Sequence, residues 1–416
     1  MISEYGSNAI RTVLNSVAAK ASGKSGDVLV YNPTGFEYSG AVNVDGRRVT
    51  VKNIAPKGYT VATPAESVGN ITYENNVLEN DFYKLVFDEN MNIVSAFDKT
   101  NNREMLKDGK AIRFVAYEDL PNVYDAWELP PFHKEKPYFV DTVTSVKEIN
   151  EGDRAGVEVT RVFGKSTITD RVWLYRDRPI VEFEDDADWH SKHVILKREF
   201  PVDVLAESAS CDTQFGFVDR PTHKNTSWDW AKFEVCSHKY VDISEGNYGV
   251  ALMNESKFGH GVSDNVISIS LLRGPDYPDP DCDMGKHSFS YALMGHSGNL
   301  TASDVLKEAT FFNNPCIAVP VTNTDCTLPA SFSVVKTENE GVVIDTVKPA
   351  EDGNGTVIRM YEGKKTRGNE TLTLGVKAEK AYICDMLENE LEEIAVIDNT
   401  ITIPYKPFEI ITVKVK

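Results

Sequence analysis

At 416 residues the chain is too long for one ordinary domain and predicts two or three. Hydrophobic residues at 41% and charged residues at 26% give a normal globular balance, which excludes a disordered chain. The 44 basic against 63 acidic side chains leave a net charge of −19 without a Lys/Arg-rich patch, so nucleic acid is excluded as a partner, while a neutral small molecule or sugar stays compatible.

The opening stretch MISEYGSNAIRTVLNSVAAKASGKSG lacks the basic segment and apolar core of a secretory leader. The longest apolar runs, such as VWLY and IAVPV, are strand-sized, so no membrane span is predicted. Helical spacing appears over Ala9–Lys20, where Ile10, Val13, Leu14 and Val17 form one stripe. It is the one convincing helix before Asp304, and its stripe implies a helical neighbour outside these residues. After Gly23, DVLVYNPTGFEYSG pairs a buried strand with an Asn-Pro-Thr-Gly turn. KGYTVATPAES then reads as a linker.

From Ile71 strand follows strand. NDFYKLVFDENMNIVSAFDK is a hairpin around Asp88-Glu89-Asn90. GVEVTRVFGKSTITDRVWLYRDRPIVEFEDDADW keeps period two almost throughout, and YGVALMN and NVISISLLR add further strands. A short helix is predicted over Ser303–Ala309. Beyond it, ASFSVVKTENEGVVIDTVKPA, GTVIRMYE and TITIPYKPFEIITVKVK are hairpin-like. An all-β chain of this length must close its sheets on one another as sandwiches.

Several stretches imitate chemistry. In RPTHKNTSWDWAKFEVCSHKY, alternation puts Cys236 and His238 on one strand face, with His223 the nearest third ligand. Two ligands do not make a metal site, and satisfied polar packing is the stronger reading. In DADWHSKH, an HxxH on a strand sends His190 and His193 to opposite faces, which leaves Asp188 and His190. PDYPDPDCDMGKH, with four aspartates and His287, lacks the oxygen spacing of a calcium loop. No GxSxG, HExxH or Gly-rich phosphate loop occurs. The cysteines Cys211, Cys236, Cys282, Cys316, Cys326 and Cys384 are scattered, as expected of thiols in a reducing cytoplasm.

The long block RPTHKNTSWDWAKFEVCSHKYVDISEGNYGVALMNESKFGHG, continuing through NVISISLLRGPDYPDPDCDMGKHSFSYALMGHSG, resembles the C-terminal region of family 38 glycoside hydrolases. These are the retaining α-mannosidases, and the likeness is to their cytosolic/vacuolar and bacterial branch. VYNPTGF, NNVLENDFYKLVFDENMNIVSAFDK, LPNVYDAWEL, AEDGNGTVIRMYE and PYKPFEIITVKVK match in order, so the resemblance covers nearly the whole chain. It implies an all-β, galactose-mutarotase-like supersandwich with smaller flanking β regions and a short N-terminal helix. The divisions it implies are 1–22, a remnant of the helical middle domain; 23–68, a small β region; 69–305, the supersandwich; and 306–416, a C-terminal β region.

The family's zinc ligands and aspartate nucleophile belong to an N-terminal catalytic domain, and nothing in Met1–Lys416 matches those motifs. The resemblance therefore implies a non-catalytic C-terminal piece without a cofactor of its own, inactive alone, with zinc expected in the catalytic domain. Its implied partners are its own catalytic and helical domains and an α-mannoside, with cytoplasmic location and neither nucleic acid nor membrane. Two loops have sugar-binding character, with domain-interface packing as the equal alternative: LPNVYDAWEL, with Tyr124, Asp125 and Trp127, and NESKFG, with Asn254 and Lys257. The competing reading is a free-standing carbohydrate-binding or mutarotase-like protein, whose acid/base pair would be His223 or His190 with Glu182 or Asp188.

Overall fold

The computed structural model describes residues 2–322 and 326–416. The chain divides into two units, one formed by Val68–Val305 and one by Met1–Ser67 together with Leu306–Lys416. All the strand pairs within their sheets are antiparallel, as expected of alternating sequences joined by short turns.

The Val68–Val305 unit is built on a nine-stranded and a six-stranded sheet, with a five-stranded sheet contributed by Thr72–Glu104. Sequence pattern explains the layers. In Val181–Trp189, the side chains of Val181, Phe183, Asp185, Ala187 and Trp189 are buried, while Asp186 and Asp188 are exposed. The six-stranded sheet runs Pro137–Phe139, Arg113–Glu118, Val194–Pro201, Val266–Arg273, Gly259–Ser263 and Val235–Cys236. Leu196, Phe200, Ile267 and Ile269 turn inward to meet Phe183, Phe289, Tyr291 and Leu293 of the nine-stranded sheet in one continuous core.

That core holds a charge. Arg198 is buried with its Nη1 2.8 Å from Asp170 Oδ1 and 3.0 Å from Tyr291 Oη, and its guanidinium lies over Phe183 and Phe114. Burial and the neighbouring Asp170 push the Asp185 carboxyl well above the usual range, and Tyr291 donates to it at 2.6 Å. The hairpin at Asp88 forms as its sequence demands. Asp88 Oδ1 accepts from the N–H groups of Asn90 at 2.9 Å and Asn92 at 2.8 Å.

The second unit opens with a helix over Ile2–Ala18, longer at its start than the apolar stripe predicted. SEYGSN carries no stripe, so periodicity has nothing there to register. Leu14 and Ala18 pack on Leu29, Val319 and Val321, whereas Ile10 and Val13 remain exposed. Beneath the helix lies a four-stranded sheet in the order Ile317–Pro320, Val28–Asn32, Gly58–Ala62 and Ser331–Ser333. The regions read in the sequence as 23–68 and 306–416 therefore share one sheet. KGYTVATPAES also differs from its reading as a linker, since Gly58–Ala62 is an inner strand. A Cβ on Gly58 would stand 1.9 Å from the Phe332 carbonyl oxygen, so glycine is what lets the two strands approach. A five-stranded and a three-stranded sheet within residues 335–415 enclose a separate core of Ile344, Ile358, Met360, Leu372, Ile401 and Val413.

Candidate functional site: an aromatic loop cluster beside the six-stranded sheet

The segment between Arg113–Glu118 and Pro137–Phe139 leaves the sheet as a loop that three polar anchors hold in place. The first is Asp119, fully buried, which accepts from both Nε and Nη2 of Arg273 at the end of its strand. Arg273 also donates to the carbonyl oxygens of Ala126 and Glu128. A planar guanidinium with several fixed donors suits this fork between a carboxylate and two carbonyls. The second anchor is Asp125, whose Oδ2 accepts from the backbone N–H groups of Asp276 and Tyr277. The third is backbone pairing from Ala126 N to Tyr277 O at 3.1 Å.

The result is a row of three aromatic rings facing solvent. Tyr124, Trp127 and Tyr277 are 62%, 64% and 61% exposed. Tyr124 and Trp127 meet edge to face at 6.4 Å, and Trp127 and Tyr277 at 6.2 Å. Tyr124 stands at φ +55° and His193 at φ +53°, the left-handed region that costs a bulky side chain energy. His193 Nε2 lies 2.9 Å from Asp276 Oδ2, and its Nδ1 is buried 4.0 Å from Asp125 Oδ1. Lys192 approaches Asp276 at 3.1 Å and, with His193, holds its carboxyl below the usual range. Gly274 permits this crossing of loops: a Cβ there would lie 2.2 Å from Ser191 O.

The other predicted loop has a different character. Asn254 is fully buried, with Nδ2 donating to His238 O at 2.6 Å and Oδ1 accepting from Lys257 N at 2.9 Å. Its amide shapes the Asn254–Gly259 turn. Lys257 places its ammonium 4.6 Å from the Phe289 ring centre, and burial lowers its pKa against the opposing pull of Asp283. Asp283 in turn accepts from Arg273 N at 2.7 Å, and so stands between Lys257 and the Arg273 anchor. Tyr124, Asp125 and Trp127 thus form one cluster with His193, Asp276 and Tyr277. Asn254 and Lys257 belong to a second loop.

The other sequence candidates resolve into local pairs. The predicted strand through Phe233–Val241 is only Val235–Cys236, followed by Tyr240–Ser244, so Cys236 and His238 share no strand face. His238 packs on Phe258, and His223 lies 3.9 Å from Asp229. Asp188 and His190 do meet, at 2.9 Å, with both side chains about half exposed at the strand end. Glu182 is held by Arg154 and Tyr175 in a buried cluster. Among the described residues no three His, Cys, Asp or Glu side chains are grouped to hold a metal ion.

Sequence reasoning missed Asp119, Arg273, Asp276 and Tyr277. Period two shows which face a side chain occupies, but Arg273 and Asp119 are 154 residues apart and no local signal joins them.

Residues 78–281 match the glycosyl hydrolases family 38 C-terminal domain, and residues 341–413 match that family's C-terminal beta sandwich domain. The chain belongs to glycosyl hydrolase family 38. The aromatic cluster and the Asn254–Lys257 loop both lie inside the first matched region of this family 38 chain. Alpha-mannosidase 2C1 of Homo sapiens is 33% identical over 357 residues, which cover 83% of this chain and 34% of that protein. Alpha-mannosidase G of Dictyostelium discoideum is 32% identical, over 96% of this chain and 37% of its own length. The chain thus spans about a third of the curated relatives it matches. An alpha-mannosidase from Enterococcus faecalis V583 has the same fold, with a TM-score of 0.74 over 95% of this chain and 51% of that chain at 17% identity. No helix among the described residues is long and apolar enough to cross a membrane.

Proposed function

We propose that this family 38 chain is the non-catalytic β region of a retaining α-mannosidase acting on terminal α-mannosides. In this reading it packs on the catalytic and helical domains and lends the Tyr124–Asp125–Trp127 loop to the sugar pocket, with zinc held in the catalytic domain. The observation that carries it is the exposed aromatic row fixed on a strained, thrice-anchored loop. Aromatic faces take up the C–H surfaces of sugars, and backbone strain that the surroundings enforce is characteristic of working sites. Asp125 acts as a positioning residue, because its carboxylate spends its contacts on the Asp276 and Tyr277 N–H groups. The free thiols of Cys211, Cys236, Cys282 and Cys384 fit a reducing cytoplasm.

In a protein that joins this chain to its catalytic domain, Asp125→Ala is expected to lower kcat/KM on a chromogenic α-mannoside by about 10- to 100-fold. Asp125→Asn retains one acceptor oxygen and is expected to recover part of the loss. The chain by itself, supplied with zinc, is expected to release no chromophore. Unchanged kinetics in Asp125→Ala would reject the loop's role, and turnover by the chain alone would reject the non-catalytic reading.

A further inference from the structure

An open cleft of about 630 Å³ lies beside the aromatic row, lined by side chains of the six-stranded sheet and the segments near it. The size falls within the roughly 300–1,000 Å³ typical of small-molecule sites. Trp127 and Phe233 supply aromatic lining, Glu234 and Ser270 polar lining, and Arg273 and Asp283 also border it.

The cleft has a prepared floor. Lys197 is fully buried, with Nζ in contact with Glu234 Oε1 and 3.0 Å from Ser270 Oγ, which itself donates to Glu234 Oε1. One carboxylate oxygen is thereby fixed from two sides, and Oε2 remains to accept from a ligand. Burial, with the Lys134 charge beside it, draws the Lys197 ammonium down to about 7 against the opposing pull of Glu199 and Asp119.

Charge bookkeeping narrows the ligand. Lys197 compensates Glu234, and Asp119 together with two carbonyls takes up the Arg273 guanidinium. Asp283 accepts from Arg273 N and faces the Lys257 ammonium. Glu128, the remaining acid in the lining, is exposed to water and screened. The lining therefore offers acceptors and aromatic carbon without a free cation for an anion, and its inner carboxylates are already balanced against a cation. A neutral ring that carries O–H donors on its edges and C–H groups on a face matches that chemistry.

We propose that this cleft is a neutral-hexose subsite, in which Glu234 accepts from sugar hydroxyls and Trp127 or Phe233 takes the C–H face of the ring. Choosing mannose as the hexose rests on the mannosidase reading, whereas binding is a property of this chain alone. Saturation-transfer NMR and calorimetric titration of the chain with methyl α-D-mannoside and an α-linked mannobiose test it directly. Millimolar binding is expected, weakened about tenfold in both Glu234→Gln and Trp127→Ala. Trp127→Ala alters an exposed side chain and keeps the test decisive should Glu234→Gln fail to fold. Leu387→Ala, an exposed side chain of the other unit and outside the cleft lining, is expected to leave this affinity unchanged.

No saturation of sugar protons, affinity indifferent to Glu234→Gln and Trp127→Ala, or preference for inorganic phosphate or tetramethylammonium would each overturn the subsite. Binding of galactoside in place of mannoside keeps the subsite and counts against the mannosidase reading. Loss of hydrolysis in the joined protein is a separate measurement of that reading.

Discussion

Two buried histidines show how far side-chain placement sets the solution behaviour of this chain. Burial holds His133 and His260 down at about 4, against an ordinary value near 6.5. Between those values the unfolded chain binds protons that the folded chain does not, so stability falls as pH drops from about 6.5 to about 4. Above about 6.5 both states are neutral and the term is flat. Each histidine can account for up to about 3 kcal/mol by the acid end. Urea midpoints measured across this range should fall less steeply in His260→Gln than in the unchanged protein, and equal slopes would refute the assignment. Residue-level legibility was uneven for a related reason. Tyr124, Asp125 and Trp127 stand in one short motif and could be read together. Asn254, in an equally polar motif, is buried and committed to His238 and Lys257, and no pattern in NESKFG distinguishes those two fates.

Elements were legible where the alternation was long. The strands within residues 154–189 follow their pattern because one face of each meets a single core. Short strands depend on neighbours instead, and Gly58–Ala62 passes for a linker until Ser331–Ser333 lies beside it. Gly274 illustrates the same dependence at the loop cluster. Its N–H donates to Val194 O at 3.3 Å and its carbonyl accepts from His193 N at 2.8 Å, so it bridges the strand end and the His193 turn. Gly274→Ala would drive a methyl group into Ser191 O and Lys192 Cα. It is expected to cost about 1–3 kcal/mol and to separate the His193 and Asp276 turns. Chemical denaturation measures the first effect, and altered Trp127 fluorescence reports the second. Stability and fluorescence like those of the unchanged protein would show that the crossing tolerates a side chain.

At the scale of the whole molecule, each unit has cores of its own: one around Phe183, Leu196 and Tyr291 in the first, and in the other one beneath the first helix and one around Ile344, Met360 and Val413. Units with separate cores unfold as separate cooperative bodies. Arg198→Leu leaves Asp170 and Asp185 without their cation in the first core and is expected to cost about 3–5 kcal/mol. Scanning calorimetry should therefore show two transitions, with Arg198→Leu lowering one and sparing the other. A single transition that moves as a whole would contradict the division.

The four-stranded sheet beneath the first helix sets an order of events during synthesis. Val28–Asn32 pairs on one side with Gly58–Ala62, which emerges soon afterwards, and on the other with Ile317–Pro320, which lies beyond the entire 68–305 unit. At roughly 5–20 residues per second, the ribosome needs on the order of 10–50 s to deliver that missing strand. Throughout this interval Val28–Asn32 has an apolar edge without its native partner, the kind of exposed strand edge that invites wrong pairing.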